Sequence, residues 1–375
     1  MSNPGFLFTV LAFLLCIGPL VFVHELGHYF VGRWFGVKAD AFSIGFGREI
    51  FGWTDKRGTR WKVGWLPLGG YVRFAGDMNP ASTPSDEWLS LPAEERAKTF
   101  QSKGVWQRFL IVLAGPATNF LFAFLAFIAI FAVNGYPSSP PVLGGIVAGS
   151  PADRAGLRPG DRILAIDGHT LDTYADLQSY VVIRPGQTLR FQVARDARTF
   201  DVPVAIRAEM ERDEFGNSAR IGRIGVLGAV VFAKVPAAQL PGTSLKAIAN
   251  TLGSMVTVLG QVVVGERSVR ELGGPLKIAE VSGQQASLGW LNFFGLMTVV
   301  SINLGFINLL PIPLLDGGHL LFYVIEGVRR RPLKPEAQEW AFRAGLTVLL
   351  VLMIFVTLND LASFGLFTKL GGLIG

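Results

Sequence analysis

Four stretches of about 20 mainly apolar residues, 6–35, 109–133, 288–310 and 340–358, constrain this chain more than any other feature of its sequence. A helix rises about 1.5 Å per residue, so each can cross a hydrocarbon core of about 30 Å. Inside lipid a backbone must satisfy its own N–H and C=O groups, which makes these stretches helices. Only 17% of the 375 residues are charged, below the roughly 25% of soluble domains. A further run, 245–264, is interrupted by Lys246, Asn250, Ser254 and Gln261 and reads as an amphipathic or interfacial helix. The first run has no basic n-region and no small-residue cleavage site, so it reads as a retained span rather than a signal peptide. The one cysteine, Cys16, lies inside it as a small buried hydrophobe, and no disulfide framework is expected.

Lysine and arginine set the expected orientation. Residues 34–107 carry Lys38, Arg48, Lys56, Arg57, Arg60, Lys62, Arg73, Arg96, Lys98 and Lys103, and the loop before the last span carries Arg329, Arg330, Arg331 and Lys334. Both are expected on the cytoplasmic side, with the termini and residues 134–287 opposite. These loops account for the net charge of +6, so no nucleic-acid partner is expected. The stretch 92–109 reads as a surface helix leading into the second span.

Residues 134–287 begin with a Pro/Gly linker, "YPSSPPVLGG". "GSPADRAGLRPGDRILAIDG" then reads as a short helix, a turn and a strand, "TYADLQSYVVI" as a helix, and "TLRFQVARDARTFDVPVAI" as a hairpin turning near Asp196. The alternation is that of a small α+β module. His169 reads as a solvated turn residue.

Chemistry enters at His24, Glu25 and His28, an H-E-x-x-H pattern near the end of the first apolar run. Histidines four apart share a helix face and can ligate one zinc ion, and the glutamate beside them can act as the base. Ionisable groups in hydrocarbon are costly unless paired or metal-bound, so their presence points to function. A catalytic zinc takes three protein ligands and keeps one position open. The third ligand is expected in "INLLPIPLLDGGHL", where Pro311 and Pro313 break a membrane helix. Residue chemistry leaves Asp316 and His319 as equal candidates. Asn308, just before the break, either donates a hydrogen bond to a substrate carbonyl or caps carbonyls freed by the prolines. Asn119, in "GPATNF", either meets substrate or braces a neighbouring helix beside the small Gly115-Pro116-Ala117 site.

His24-Glu25-x-x-His28, Asn308-x-x-Pro-x-Pro-x-x-Asp316-Gly and Gly115-Pro-x-x-Asn119 together resemble the site-2 protease family of intramembrane zinc metalloproteases, in particular its regulator of sigma-E protease subgroup. The resemblance covers essentially the whole chain. It implies that His24, His28 and Asp316 bind Zn2+, that Glu25 is the catalytic base, and that His319 is left as a helix-face residue. It places Asn308 near the scissile bond. The apolar, glycine-rich stretch 62–78 resembles the family's reentrant β-loop, whose edge, with Gly69 and Gly70, would pair with an unwound substrate as an added strand. The α+β module resembles a bacterial-protease PDZ domain, with Val142, Leu143, Gly144 and Gly145 in the place of the carboxylate-binding loop. It would either bind peptide ends or exclude bulky substrates. Residues 271–280 resemble a membrane-surface segment that follows the PDZ region.

The resulting expectation is a polytopic α-helical membrane protein with about four transmembrane helices, a membrane-associated β-loop and an inserted α+β PDZ domain. Its parts would be residues 1–134 (membrane), 135–206 (PDZ), 207–287 (hairpin and amphipathic region) and 288–375 (membrane). The implied function is regulated intramembrane proteolysis of single-span proteins after a first cleavage, with anti-sigma factors as an example. The implied location is the bacterial inner membrane, in contact with the lipid bilayer, with the PDZ domain periplasmic. The competing reading is a non-catalytic PDZ-bearing scaffold; a metal-ion transporter would need polar residues along several spans.

Overall fold

A computed structural model describes residues 5–76, 91–212, 218–229, 231–265, 274–331 and 333–363. In chain order the main elements are α1 (Phe6–Trp34), β1 (Ala39–Thr54), β2 (Arg60–Phe74), α2 (Val105–Asn134), β3 (Tyr136–Ser138), β4 (Leu143–Ile146), β5 (Arg162–Ile166), β6 (His169–Thr170), α3 (Tyr174–Val182), β7 (Thr188–Arg195) and β8 (Arg198–Ala205). They continue with β9 (Arg207–Arg212), β10 (Ser218–Arg223), β11 (Val226–Gly228), β12 (Val231–Ala233), α4 (Leu240–Val263), α5 (Pro275–Ser287), α6 (Trp290–Leu309), α7 (Asp316–Arg329) and α8 (Pro335–Ser363). Among the described residues four helices are long and apolar enough to cross a membrane: α1, α2, α6 and the Glu336–Asp360 part of α8. The chain divides into two compact units, Met1–Ile130 with Pro241–Gly375, and Phe131–Leu240.

In the first unit α1 and α2 approach closely at glycine. A Cβ on Gly27 would collide with the Ala114 carbonyl and the Thr118 hydroxyl, and Thr118 Oγ1 donates to Val23 O at 3.0 Å. This close approach is how helices associate where lipid gives no hydrophobic drive. Gly305 of α6 likewise sits against the Phe120 ring.

β1 and β2 are each bent, so together they make a four-segment antiparallel sheet. Residues 39–44 pair with both 60–63 and 70–74, while 49–54 return along 60–64. Gly45 and Gly47, at φ 83° and 82°, allow the bend. The inner face is held to α1 by aromatic packing, with Phe42 against Trp61 at 4.4 Å and Tyr29 against Trp61 at 5.2 Å between ring centroids. Phe46, Ile50, Phe51, Trp53 and Trp65 remain exposed. Residues 70–74 form the edge segment.

The stretch 92–109 departs from the helix expected of it. Only Ala93–Arg96 is helical before α2 begins. Thr99 and Ser102 hydroxyls bond nearby carbonyls, which competes with a helix, and Phe100 is buried as a plug stacked on Phe74. Further on, Asp360 near the end of α8 accepts from Gly274 N and Lys277 N, capping α5.

The inserted unit is built on the sheet β6-β5-β7-β8 with α3 packed against it. Its core holds Leu143, Ile163, Ile166, Leu177, Phe191, Val193 and Val204. Thr173 and Asp176 form a capping box that starts α3. The unit extends past Ile206 to Leu240, because β11 pairs with β4 and β12 with β3. Strands placed by the sequence reading in a separate region are therefore part of it.

Within this unit Asp161, fully buried, accepts two hydrogen bonds from Arg195, at 2.6 and 2.7 Å. Burial alone would raise its pKa, but the Arg195 guanidinium and the Arg158 N–H hold it below the ordinary value. A depressed folded pKa means stability that is present above the unfolded value of about 3.9 and is lost as pH falls through the folded one. Hydrogen exchange on the full chain should show β5 and β7 amides losing protection below about pH 4. Asp161→Asn should lower that protection already at pH 7, and equal protection in both proteins would refute the pair's role.

Candidate active site

α1 carries His24, Glu25 and His28 on its buried side, and all three line a cavity of about 600 Å³. α2 crosses behind them, the edge segment of β2 passes in front, and the break between α6 and α7 closes the floor. Gly69, Gly70, Asn308, Asp316 and His319 line the same cavity.

The break decides where Asp316 points. Pro311 and Pro313 cannot donate backbone hydrogen bonds, so α6 stops at Leu309 and helix resumes only at Asp316. Leu314 is held at φ 86°, a region non-glycine residues rarely occupy. Gly317 and Gly318 have no room for a Cβ, since each would strike carbonyls of residues 309–312. The returning helix is tied to α2 by a half-buried ion pair, Arg108 Nη2 to Glu326 Oε1 at 2.8 Å, with the guanidinium 4.9 Å from the Tyr323 ring.

Three ligand atoms converge. His24 Nε2 and His28 Nε2 are 3.2 Å apart, and Asp316 Oδ2 lies 3.1 Å from the first and 3.5 Å from the second. Among the described residues this is the only group of three or more such side chains able to share a metal. A tetrahedral zinc with ligands at about 2.0–2.1 Å has neighbouring ligand atoms about 3.3 Å apart, so the spacing fits. Asp316 Oδ2 is buried without a hydrogen-bond partner, an orphan that a cation would satisfy. The donor set of two imidazoles and one carboxylate suits Zn2+.

Behind the ligands lies a second layer. His28 Nδ1 donates to Ile111 O at 2.9 Å, which leaves its Nε2 lone pair for a metal. Asn119 is fully buried, with its amide 3.1 Å from His24 Nδ1. As placed, Asn119 Nδ2 faces Nδ1; a metal on Nε2 puts the proton on Nδ1, and turning the amide over presents Asn119 Oδ1, otherwise buried and unbonded, to accept it. Asn119 thus braces a ligand and does not line the cavity.

In the sequence Gly115 stands as a small packing residue within the Gly115-Pro-x-x-Asn119 motif. In the fold a Cβ there would press on the Nε2 atoms of both His24 and His28, so glycine makes the room in which the imidazoles turn inward. No spacing rule could have found this, since it depends on how α2 crosses α1. Gly70 passes over Glu25, and its added Cβ would lie 3.0 Å from Glu25 Cγ.

In the inserted unit the groove is formed by other residues than those expected. Tyr174, Leu177, Gln178, Val181 and Val182 of α3 face the stretch Ile221–Leu227 across a cavity of about 410 Å³. Leu143 is instead buried in the core, and Val142, Gly144 and Gly145 do not line the groove. The glycine-punctuated "RIGRIGVLG" was the available signal in the sequence.

Residues 12–352 match peptidase family M50. The chain is 41% identical over 370 residues to a protein of Agrobacterium fabrum provisionally named a zinc metalloprotease, covering 97% of this chain and 98% of that one. It is 36% identical over 400 residues to metalloprotease MmpA of Caulobacter vibrioides, covering 98% and 99%. Among solved structures, the PDZ domain of an SdrC-like protein from Listeria monocytogenes aligns with 25% of this chain and 90% of its own, at 19% identity and a TM-score of 0.20.

Gly115→Val should leave the protein folded but displace both imidazoles, weakening zinc binding roughly 10–100-fold. Titration of the purified variant with Zn2+ against a competing chelator measures this, and unchanged affinity would show that the crossing leaves more room than described.

Proposed function

The chain belongs to peptidase family M50, a zinc metalloprotease family, and on that premise we propose that it cleaves single-span membrane proteins within or near their spanning helix. The observation that carries this reading is a three-ligand metal site with a buried glutamate, in a cavity edged by a strand that has no strand on its outer side.

Bound zinc would be held by His24, His28 and Asp316, would polarise the scissile carbonyl and would lower the pKa of a water molecule to about 7. Glu25, beside the first ligand, takes the proton from the attacking water and returns it to the leaving nitrogen. Asn308, which lines the cavity, donates a hydrogen bond to the substrate carbonyl. A helical substrate hides its carbonyls, so it must unwind, and pairing with Gly69–Val72 as an added strand would hold it open. Three protein ligands with no fourth among the described residues favour catalysis over a closed structural site in a scaffold.

By resemblance, the substrate has already been shortened by a first protease, and anti-sigma factors are of this kind. The inserted unit acts as a PDZ-type module whose α3 groove receives the new chain end. The protein resides in the bacterial inner membrane, with the inserted unit periplasmic and the metal site toward the cytoplasm.

Glu25→Gln should keep zinc while lowering kcat roughly 10²–10⁴-fold, read from cleavage of a reconstituted single-span substrate. Wild-type turnover in that variant would remove the mechanism. Reporter fusions after Gly168 should be active outside the cytoplasm and those at Arg330 inside; the reverse pattern overturns the orientation. Val182 is exposed on the groove wall, so Val182→Glu should spare the fold and repel a terminal carboxylate, raising KM for a trimmed substrate about tenfold. An unchanged KM would favour a module that merely excludes bulk.

A further inference from the structure

By its chemistry His319 is an equal candidate for the third ligand and by resemblance a helix-face residue; in the fold it lines the cavity that holds His24, Glu25, His28, Asn308 and Asp316. It follows Asp316 by three positions on α7, so the two side chains share a face of that helix. It is not one of the three converging metal ligands. Its ring is braced on its apolar faces, 5.0 Å from Phe342 and 6.4 Å from Tyr323 between centroids. Both partners are buried, so the imidazole has a defined seat. Neither ring nitrogen has a hydrogen bond to any described residue. Its nitrogens are not among the buried polar atoms left without a partner, so they open onto the cavity, where they are free for substrate.

We infer that His319 is a further catalytic residue, whose ring N–H donates a hydrogen bond to the scissile carbonyl oxygen as negative charge builds there. The inference rests on the hydrolytic reading above. In that reaction a bond forms between the water oxygen and the carbonyl carbon, and the C–N bond breaks. Glu25 takes one proton from water and passes it to the leaving nitrogen, so the proton balance closes without His319. His319 keeps its own proton throughout and acts only on the oxygen, from the α7 wall, while Asn308 approaches from α6. A donor whose value lies in the transition state changes kcat rather than KM.

The test uses the full-length purified enzyme in nanodiscs, with bound zinc, thermal midpoint, kcat and KM measured on a single-span substrate. His319→Phe keeps a ring on Phe342 and removes both nitrogens; His319→Gln restores a donor. Expected for His319→Phe are unchanged zinc and a KM within about twofold, with kcat lowered roughly 10²–10³-fold. His319→Gln should recover at least about tenfold of that loss. Wild-type kcat in His319→Phe overturns the role. So does loss of zinc in His319→Phe, which would make the residue part of the metal site, or a Gln variant no better than Phe, which would leave only packing. If His319→Phe does not fold, His319→Met against His319→Gln decides in the same way, equal kcat being the overturning result. Wild type and Glu25→Gln run alongside: if they are equally inactive, the hydrolytic reading itself fails, and this role with it.

Discussion

Taking ionisable groups out of water is costly, and this fold places His24, Glu25, His28 and Asp316 together among apolar helices. Their mutual arrangement is what makes that placement tolerable. Two imidazole nitrogens and a carboxylate oxygen meet at 3.1–3.5 Å, a spacing at which one shared cation would satisfy all three atoms. Around them Ile111 O and Asn119 take up the remaining ring nitrogens, so the lone pairs that matter face inward. The other features of the membrane unit can be understood as serving this convergence.

Convergence needs two chain-distant elements to meet with little tolerance. Helix periodicity alone brings His24 and His28 to one face, but Asp316 arrives from about 290 residues further along. Its approach is set by a helix broken at two prolines, a strained Leu314 and glycines packed flush on carbonyls. Such strain persists only where surrounding structure over-determines it, and here the Arg108–Glu326 pair and the α8 wall supply that support. Gly115 and Gly27 let α2 come close enough to complete the pocket from behind.

The bent sheet has the opposite character. Its aromatic inner face is fixed to α1, while its edge segment has no strand on its outer side, where the Val72 N–H meets the Glu25 carboxylate. An exposed strand edge is usually a liability; in the proposed mechanism this one would hold an extended chain beside the metal site. The inserted unit is assembled separately, around its own core of aliphatic residues and Phe191, with its groove between α3 and the residues leading into β11.

Much of this was legible in the sequence, and the limit follows from the range of each interaction. The four long apolar helices follow from composition and length, because lipid leaves a backbone no other choice. His24, Glu25 and His28 follow from helical spacing, a local property. The hairpin at Asp196 follows from turn chemistry and alternation, and the structure has it between β7 and β8. Sequence alone could not divide Asp316 from His319, because the choice depends on where helix resumes after Pro313. Nor could it place Asn119 behind His24, find the clearance at Gly115, or see that β11 completes the inserted unit across more than 80 residues from β4. The spans and the local motif were set by short-range chemistry. The third ligand, the room for the imidazoles and the position of the groove depend on contacts between distant segments, and only tertiary packing decides those.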